Sequence, residues 1–284
     1  MSPREAARSI FDSALGAADV RPLVHRALAE LRLPEAGRVV VVGAGKASGA
    51  MAAAVEDSLG DRVAGGLVVV KDGYRADTRR IELVEAGHPV PDARGEAGAG
   101  RIRALAETLG ADDLLLVLVS GGGSALIPAP VPPITLADKQ AVTRLLLGVG
   151  ANINQLNAVR KHCSRLKGGQ LARAAAPARV HALLLSDVIG DPLDVIASGP
   201  TAPDASTFAD ALAILDRFAL RSRVPASIVD RLEQGARGEI PETPKPDDPV
   251  FRRVTNTVIG NNQLVVDAAA VRARALGYAS RVLT

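Results

Sequence analysis

The sequence predicts an α/β fold built on a mostly parallel sheet with helices on both faces. Three observations carry this. Short aliphatic runs alternate with helical segments along most of the 284 residues, the pattern of strands joined by crossover helices. Runs such as "RVVVVG" (38–43) and "DDLLLVLV" (112–119) are continuous rather than alternating in polarity, as strands buried on both faces are. Three runs end in turns rich in glycine or aspartate, and the carboxyl ends of parallel strands are where such sheets bind ligands.

Residues 4–32 read as one or two helices, with Ile10, Phe11 and Leu15, then Leu23, Val24, Leu28 and Leu31 at helical spacing. "RVVVVGAGKASGAMAAAVEDSLG" (38–60) is a strand, a glycine turn and an alanine-rich helix. "GGLVVVKDG" (65–73) and "RIELVEAGHPVPD" (80–92) are two more strands, and "EAGAGRIRALAETLG" (96–110) is a helix closed by Gly110. "DDLLLVLVSGGGS" (112–124) is strand and turn. Helices follow at 135–150 and 152–175, then a strand running into a loop at 179–191 and a helix at 206–218. Residues 236–250, "ARGEIPETPKPDDPV", hold four prolines and read as a linker or surface excursion. The expected division is therefore a main domain over 1–235, this linker, and the start of a second α/β region over 251–284, interrupted where the chain stops.

Composition excludes several classes. A net charge of +3 with no basic block is not a nucleic-acid footprint. Cys163 is the only cysteine, so neither an internal disulfide nor a cysteine zinc site is available. No stretch has the length of a membrane span, and the N-terminus is charged where a signal peptide is apolar, so a cytoplasmic location is expected. Aromatic residues make up only 2% of the chain, leaving Ala, Val and Leu to fill the core. Only six of 34 basic residues are lysines (46, 71, 139, 161, 167 and 245), which draws attention to positions where a compact ammonium is kept.

Three strand ends carry unusual chemistry. In "VVVVGAGKASG", Gly43 and Gly45 allow a tight turn into a helix whose N-terminus favours anions. The dinucleotide fingerprint fails, because Ser48 stands where its third glycine belongs, and the Walker pattern fails too. This leaves either an anion site of another type, with Lys46 aimed into the crevice, or a plain turn with a solvated lysine. Ser120, Gly121, Gly122, Gly123 and Ser124 would offer successive backbone N–H groups as a phosphate nest, or simply let two backbones pack closely. They are not a nucleophile elbow, since Leu126 stands where glycine is needed. Asp187 and Asp191 bracket Gly190 after the third strand, where they suit Mg²⁺, a substrate hydroxyl or a turn.

The helix from 152 to 167 shows an apolar face of Ile153, Leu156, Val159, Cys163 and Leu166. Its polar stripe is Asn154, Asn157, Lys161 and Ser164, and Arg160 and Lys167 border the apolar face. These two cations either snorkel or reach an anionic ligand. His88 lies before a proline in a loop and reads as structural. His25, His162 and His181 show no partner pattern.

Six motifs in order, "VVGAGKASGAM", "EAGHPVPD", "LVSGGGSALIPAP", "NAVRKHCSRLKGGQLA", "LLSDVIGDPLDVIASGPT" and "VIGNNQ", resemble the glycerate 2-kinase family. Its members carry a C-terminal MOFRL domain and are often labelled hydroxypyruvate reductase. The resemblance implies a Rossmann-like three-layer αβα sandwich with a second α/β domain, and ATP-dependent phosphorylation of D-glycerate at its 2-hydroxyl. It places the catalytic lysine at Lys46, the phosphate loop at Gly121–Ser124 and the acidic strand end at Asp187, with Asp191 beside it. The roles that follow are Gly43, Gly45 and Ser120–Ser124 for ATP, Asp187 and Asp191 for Mg²⁺, and Asn157, Arg160 and Lys161 for D-glycerate. A homodimer is kept open as the assembly. The family's arginine from the MOFRL domain has no counterpart, so the chain reads as lacking that domain. The rival readings are an NAD(P)H-dependent hydroxypyruvate reductase and an inactive nucleotide- or glycerate-binding fragment.

Overall fold

A computed structural model describes residues 1–283. In chain order the elements are α1 (Pro3–Ala17), α2 (Val20–Ala29), β1 (Val39–Ala44), α3 (Ser48–Leu59), β2 (Val63–Lys71), β3 (Ile81–Ala86), α4 (Ala93–Glu107) and β4 (Leu114–Val119). Then come α5 (Gly123–Leu126), α6 (Leu136–Gly148), α7 (Ile153–His162), α8 (Gln170–Ala175), β5 (Arg179–Leu185), α9 (Phe208–Arg217), α10 (Ala226–Ala236), β6 (Val254–Gly260) and α11 (Asn262–Ala275).

The six strands form one parallel sheet in the order β3-β2-β1-β4-β5-β6. The chain winds outward from β1 to β3, then crosses back to β4 and winds the other way. The order therefore reverses between β1 and β4, and a crevice opens at such a switch point. These strands pair in step from Val39↔Leu114 to Ala44↔Val119, so the turns that follow them leave the sheet side by side.

Both central strands are buried along their whole length. Successive side chains point to opposite faces. Val40, Val42, Leu115 and Val117 pack with Ala99 and Ile102 of α4 and Leu171 of α8. Val41, Leu116 and Leu118 pack on the other face with Val24 of α2 and Met51 and Val55 of α3. Each fully buried Val or Leu contributes about 1.5–3 kcal/mol, so the continuous aliphatic runs fix both the sheet and its two helical layers. A third apolar cluster joins α6, α7, α9 and α10 through Val142, Leu146, Leu156, Val159, Phe208, Leu212 and Leu232.

Two expectations change. Residues 251–283 do not open a separate region: β6 is the sixth strand of the same sheet, paired with β5 from Val180↔Val254 onward, and α11 lies against α1. The proline-rich segment before it is tied back to the domain. Glu242 accepts hydrogen bonds from the Phe208 N–H and bonds His162 Nε2, while Arg173 pairs with Asp248. The second change is the end of α7, at His162 rather than 167. Ser164 Oγ accepts from the N–H groups of Leu166 and Lys167, a local bond that competes with helix, and Gly168 and Gly169 then take positive φ.

Candidate active site

The turns after β1 and β4 are joined by backbone and hydroxyl groups. Lys46 N–H donates to the Gly121 carbonyl (2.9 Å) and Ala47 N–H to Ser120 Oγ (2.9 Å). Ser48 Oγ donates to the Leu118 carbonyl (3.2 Å) and lies 3.0 Å from Ser120 Oγ. Ser120 is thus a tie between the turns. Gly43 lies inside β1, and the Gly45 N–H donates to the Val69 carbonyl. Their backbone groups thus serve the sheet, and neither glycine offers a free amide.

The free amides are in the second turn. The N–H groups of Gly121 and Gly122 bond no other described residue. Each of the three glycines makes room for a different neighbour. A Cβ on Gly121 would lie 2.3 Å from Asp187 Oδ2; one on Gly123 would lie 2.7 Å from the Ala44 carbonyl oxygen. Gly122 has φ +89°, and a Cβ there would sit 2.9 Å from His88 Nε2 and 3.6 Å from Lys46 Cε. Lys46, His88 and Asp187 therefore converge on two unpaired amides, a cradle suited to phosphate.

The loop stands between two cavities. One, of about 460 Å³, is lined by Lys46, Gly121, Asp187, Asn261 and Asn262, with Leu185, Leu264 and Val265 as apolar wall. The other, of about 430 Å³, is lined by His88, Gly122, Ser124, Lys139, Arg160 and Lys167, with Pro89, Pro128 and Leu156. Asp187 is exposed and hydrogen-bonded to no described residue. Asp191 takes φ +52° and accepts a hydrogen bond from Asn261 Nδ2, which turns it toward the end of β6.

In the second cavity Lys139 and Lys167 are buried and Arg160 is half-buried, and none of the three has an acidic partner within 4.0 Å among the described residues. Arg160 donates to Ser124 Oγ (2.5 Å), Lys167 Nζ to the Ser124 carbonyl (2.7 Å), and Lys139 Nζ to the Cys163 carbonyl (3.4 Å). Burial pushes Lys139 down to about 8 and Arg160 down to about 10, and it drives Lys167 far below the ordinary lysine range. His88 is lowered by burial and then by the Lys46 and Lys71 charges, with Asp187 opposing.

Two predicted substrate residues lie elsewhere. Lys161 Nζ is spent on Asp194 (3.1 Å) and Asp204 (3.3 Å), away from both cavities. Asn157 stands behind the loop. Its Oδ1 accepts from Ser198 Oγ, which lies 2.8 Å from Ser124 Oγ. Conversely, His88 and Lys139 line the site although the sequence pattern gave them no role. Lysine scarcity was the signal available for Lys139.

No group of three or more His, Cys, Asp or Glu side chains is arranged to hold a metal ion among the described residues. Mg²⁺ needs less, since one or two carboxylates commonly hold it together with substrate phosphates and water. Asp187, a free hard-oxygen donor beside the cradle, fits that requirement. No helix among the described residues is long and apolar enough to cross a membrane.

A family model described as "Domain of unknown function (DUF4147)" matches residues 6–233. Human glycerate kinase is 42% identical over 312 aligned positions, which cover 100% of this chain and 58% of the human protein. The chain thus spans about 58% of that relative's length. An Agrobacterium vitis protein, conjecturally named a hydroxypyruvate reductase, is 47% identical over 247 positions, 86% of this chain and 54% of its own length. The crystal structure of a Thermotoga maritima glycerate kinase superposes with a TM-score of 0.87 at 38% identity, covering 98% of this chain and 63% of that one.

Proposed function

The chain belongs to the DUF4147 family, and from that premise we propose that it carries the reaction centre of a glycerate 2-kinase. The reaction is transfer of the γ-phosphoryl group of ATP to the 2-hydroxyl of D-glycerate, giving 2-phosphoglycerate and ADP. The observation that carries this reading is the meeting of Lys46, Asp187 and the unpaired Gly121 and Gly122 amides at the sheet's switch point. Phosphoryl transfer depends on positioning and charge neutralisation more than on covalent help, and this cluster offers both.

In the step, the 2-hydroxyl oxygen bonds to the γ-phosphorus. The bond from that phosphorus to the β–γ bridging oxygen breaks, and its electron pair leaves with ADP. The hydroxyl proton goes to a base beside the loop, for which Asp187 and neutral His88 are placed. The Gly121 and Gly122 amides and the Lys46 ammonium bear the charge of the transferred group. Asp187 is the residue that would hold Mg²⁺, which neutralises polyphosphate charge, while Asp191 is restrained by Asn261. Arg160 faces the acceptor side.

The hydroxypyruvate reductase reading has one relative's name in its favour. Against it, Ser48 replaces a fingerprint glycine, and Lys71 ends β2 where a ribose-binding acid belongs. The test is ADP release by the 284-residue chain, and by a longer chain of the relatives' length, with ATP, Mg²⁺ and D-glycerate. Glycerate-dependent ADP release is expected. Oxidation of NADH by hydroxypyruvate without any ADP release would overturn the proposal. Release by the longer chain alone would make the present chain a binding fragment.

A further inference from the structure

Lys139, Arg160 and Lys167 form a cluster that the phosphate cradle does not explain. Lys139 is 7% exposed and Lys167 1% exposed. Burial disfavours an ammonium unless an anion accompanies it. Neither lysine pairs with a carboxylate within 4.0 Å among the described residues, and nor does Arg160. Their protein bonds go to neutral oxygens: the Ser124 carbonyl and hydroxyl and the Cys163 carbonyl. The three nonetheless lie close enough for Arg160 to depress both lysines. Arg144 adds an exposed fourth cation to the same cavity of about 430 Å³. Three like charges are held together around an open space, and several N–H bonds remain free for an anion.

We propose that this cavity is a subsite for a small acid that carries a carboxylate and gains a phosphate, with Lys139, Arg160 and Lys167 matching the three negative charges of 2-phosphoglycerate. The assignment rests on the kinase reading for its ligand. The charge argument separates this cavity from the nucleotide's. A nucleoside triphosphate arrives with Mg²⁺, which needs an acidic ligand, and Asp187 lines the other cavity. The cation cluster repels Mg²⁺ and suits an anion that carries no metal. The position agrees. Ser124, which accepts from Arg160 and Lys167, is two residues beyond Gly122, where Lys46 and His88 meet the loop. The phosphate would thus be formed at the edge of this pocket. Burial of the two lysines makes the pocket selective for charge: an unphosphorylated acid satisfies one of the three cations, and a neutral aldehyde or alcohol none.

Titration calorimetry on the 284-residue chain tests this, with 2-phospho-D-glycerate, D-glycerate, D-glyceraldehyde and Mg·ADP as probes. 2-Phosphoglycerate is expected to bind at least tenfold more tightly than D-glycerate, and glyceraldehyde not to bind. Lys139→Met and Lys167→Met keep the length of the side chain and remove a buried charge, so their melting temperatures should equal or exceed the parent's. Each should weaken 2-phosphoglycerate at least tenfold, D-glycerate less, and Mg·ADP not at all. Loss of Mg·ADP binding instead, or 2-phosphoglycerate affinity unchanged in both variants, overturns the assignment. Failure of the kinase reading is separate. Cation-dependent binding of 2-phosphoglycerate without phosphoryl transfer would keep the pocket and remove the kinase. Transfer from ATP to D-glycerate that both variants leave intact would keep the kinase and remove the pocket.

Discussion

Replacing Gly121 by alanine separates catalysis from stability. The new methyl carbon would lie 2.3 Å from Asp187 Oδ2, so the carboxylate must retreat by about 1.1 Å to reach ordinary contact at 3.4 Å. Asp187 is exposed and free to swing. Gly121 does not have a positive φ, so alanine adds no left-handed strain there. A Gly-to-Ala change in such a setting stabilises by about 0.4–1 kcal/mol through the unfolded chain, which offsets a minor contact cost, and the melting temperature should move by no more than about 3 °C. A displacement of about 1 Å in a reacting constellation costs about 100-fold in rate, or roughly 2.7 kcal/mol of barrier. Steady-state ADP release and thermal unfolding on the same preparations give both numbers. A double-mutant cycle with Asp187→Ala completes the test, because without the carboxylate the methyl group has nothing to displace and the second loss should vanish. Full additivity of the two losses, or a Gly121→Ala enzyme of parental rate, would refute the reasoning that Asp187 acts beside this loop.

Lys46→Met should lower turnover by about 1000-fold, the scale on which removal of a charge-stabilising donor acts, with far-UV circular dichroism and melting temperature unchanged. His88 has its conjugate acid held below the ordinary 6.5, so its neutral form is present above that value. If it takes the hydroxyl proton, the rate falls as pH drops below its depressed pKa, and His88→Gln removes that acid limb from the kcat/KM profile while Asp187 remains. Lys161→Met should destabilise by about 3 kcal/mol, because it leaves the fully buried Asp204 without its cation; chemical denaturation reads the loss, and the KM for glycerate should not change.

The sheet was legible because a strand buried on both faces must be apolar throughout, and "LLLVLV" and "VVVV" have no other economical use. The glycine loop stood out for a related reason: three glycines in a row at a strand end exceed what a turn requires, and each proves to clear a different neighbour. Adjacent residues on α7 show where such reading stops. Arg160 and Lys161 are neighbours on one helix, yet Arg160 reaches Ser124 while Lys161 pairs with Asp204, 43 residues away. Helical periodicity assigns a face and names no partner. Lys139 sits in "LADKQAVTR", a helical segment whose spacing names no partner for it; its Nζ reaches the Cys163 carbonyl at the end of α7. The sixth strand was misplaced because Thr255, Asn256 and Thr257 make an edge strand polar, and the prolines before it resemble a boundary. The contacts of Glu242 and Asp248 that cancel that boundary are long-range.

The central claim is that the crevice between β1 and β4 transfers a phosphoryl group to the 2-hydroxyl of D-glycerate. Phosphorus NMR of the mixture of protein, ATP, Mg²⁺ and D-glycerate tests it directly, since the product's phosphorus couples to the proton on the carbon that bears it. The account predicts a new phosphomonoester signal coupled to the single C2 proton, growing as ADP forms and absent with Lys46→Met. A signal coupled to the C3 methylene, or ADP formation with inorganic phosphate as the only other product, would contradict it.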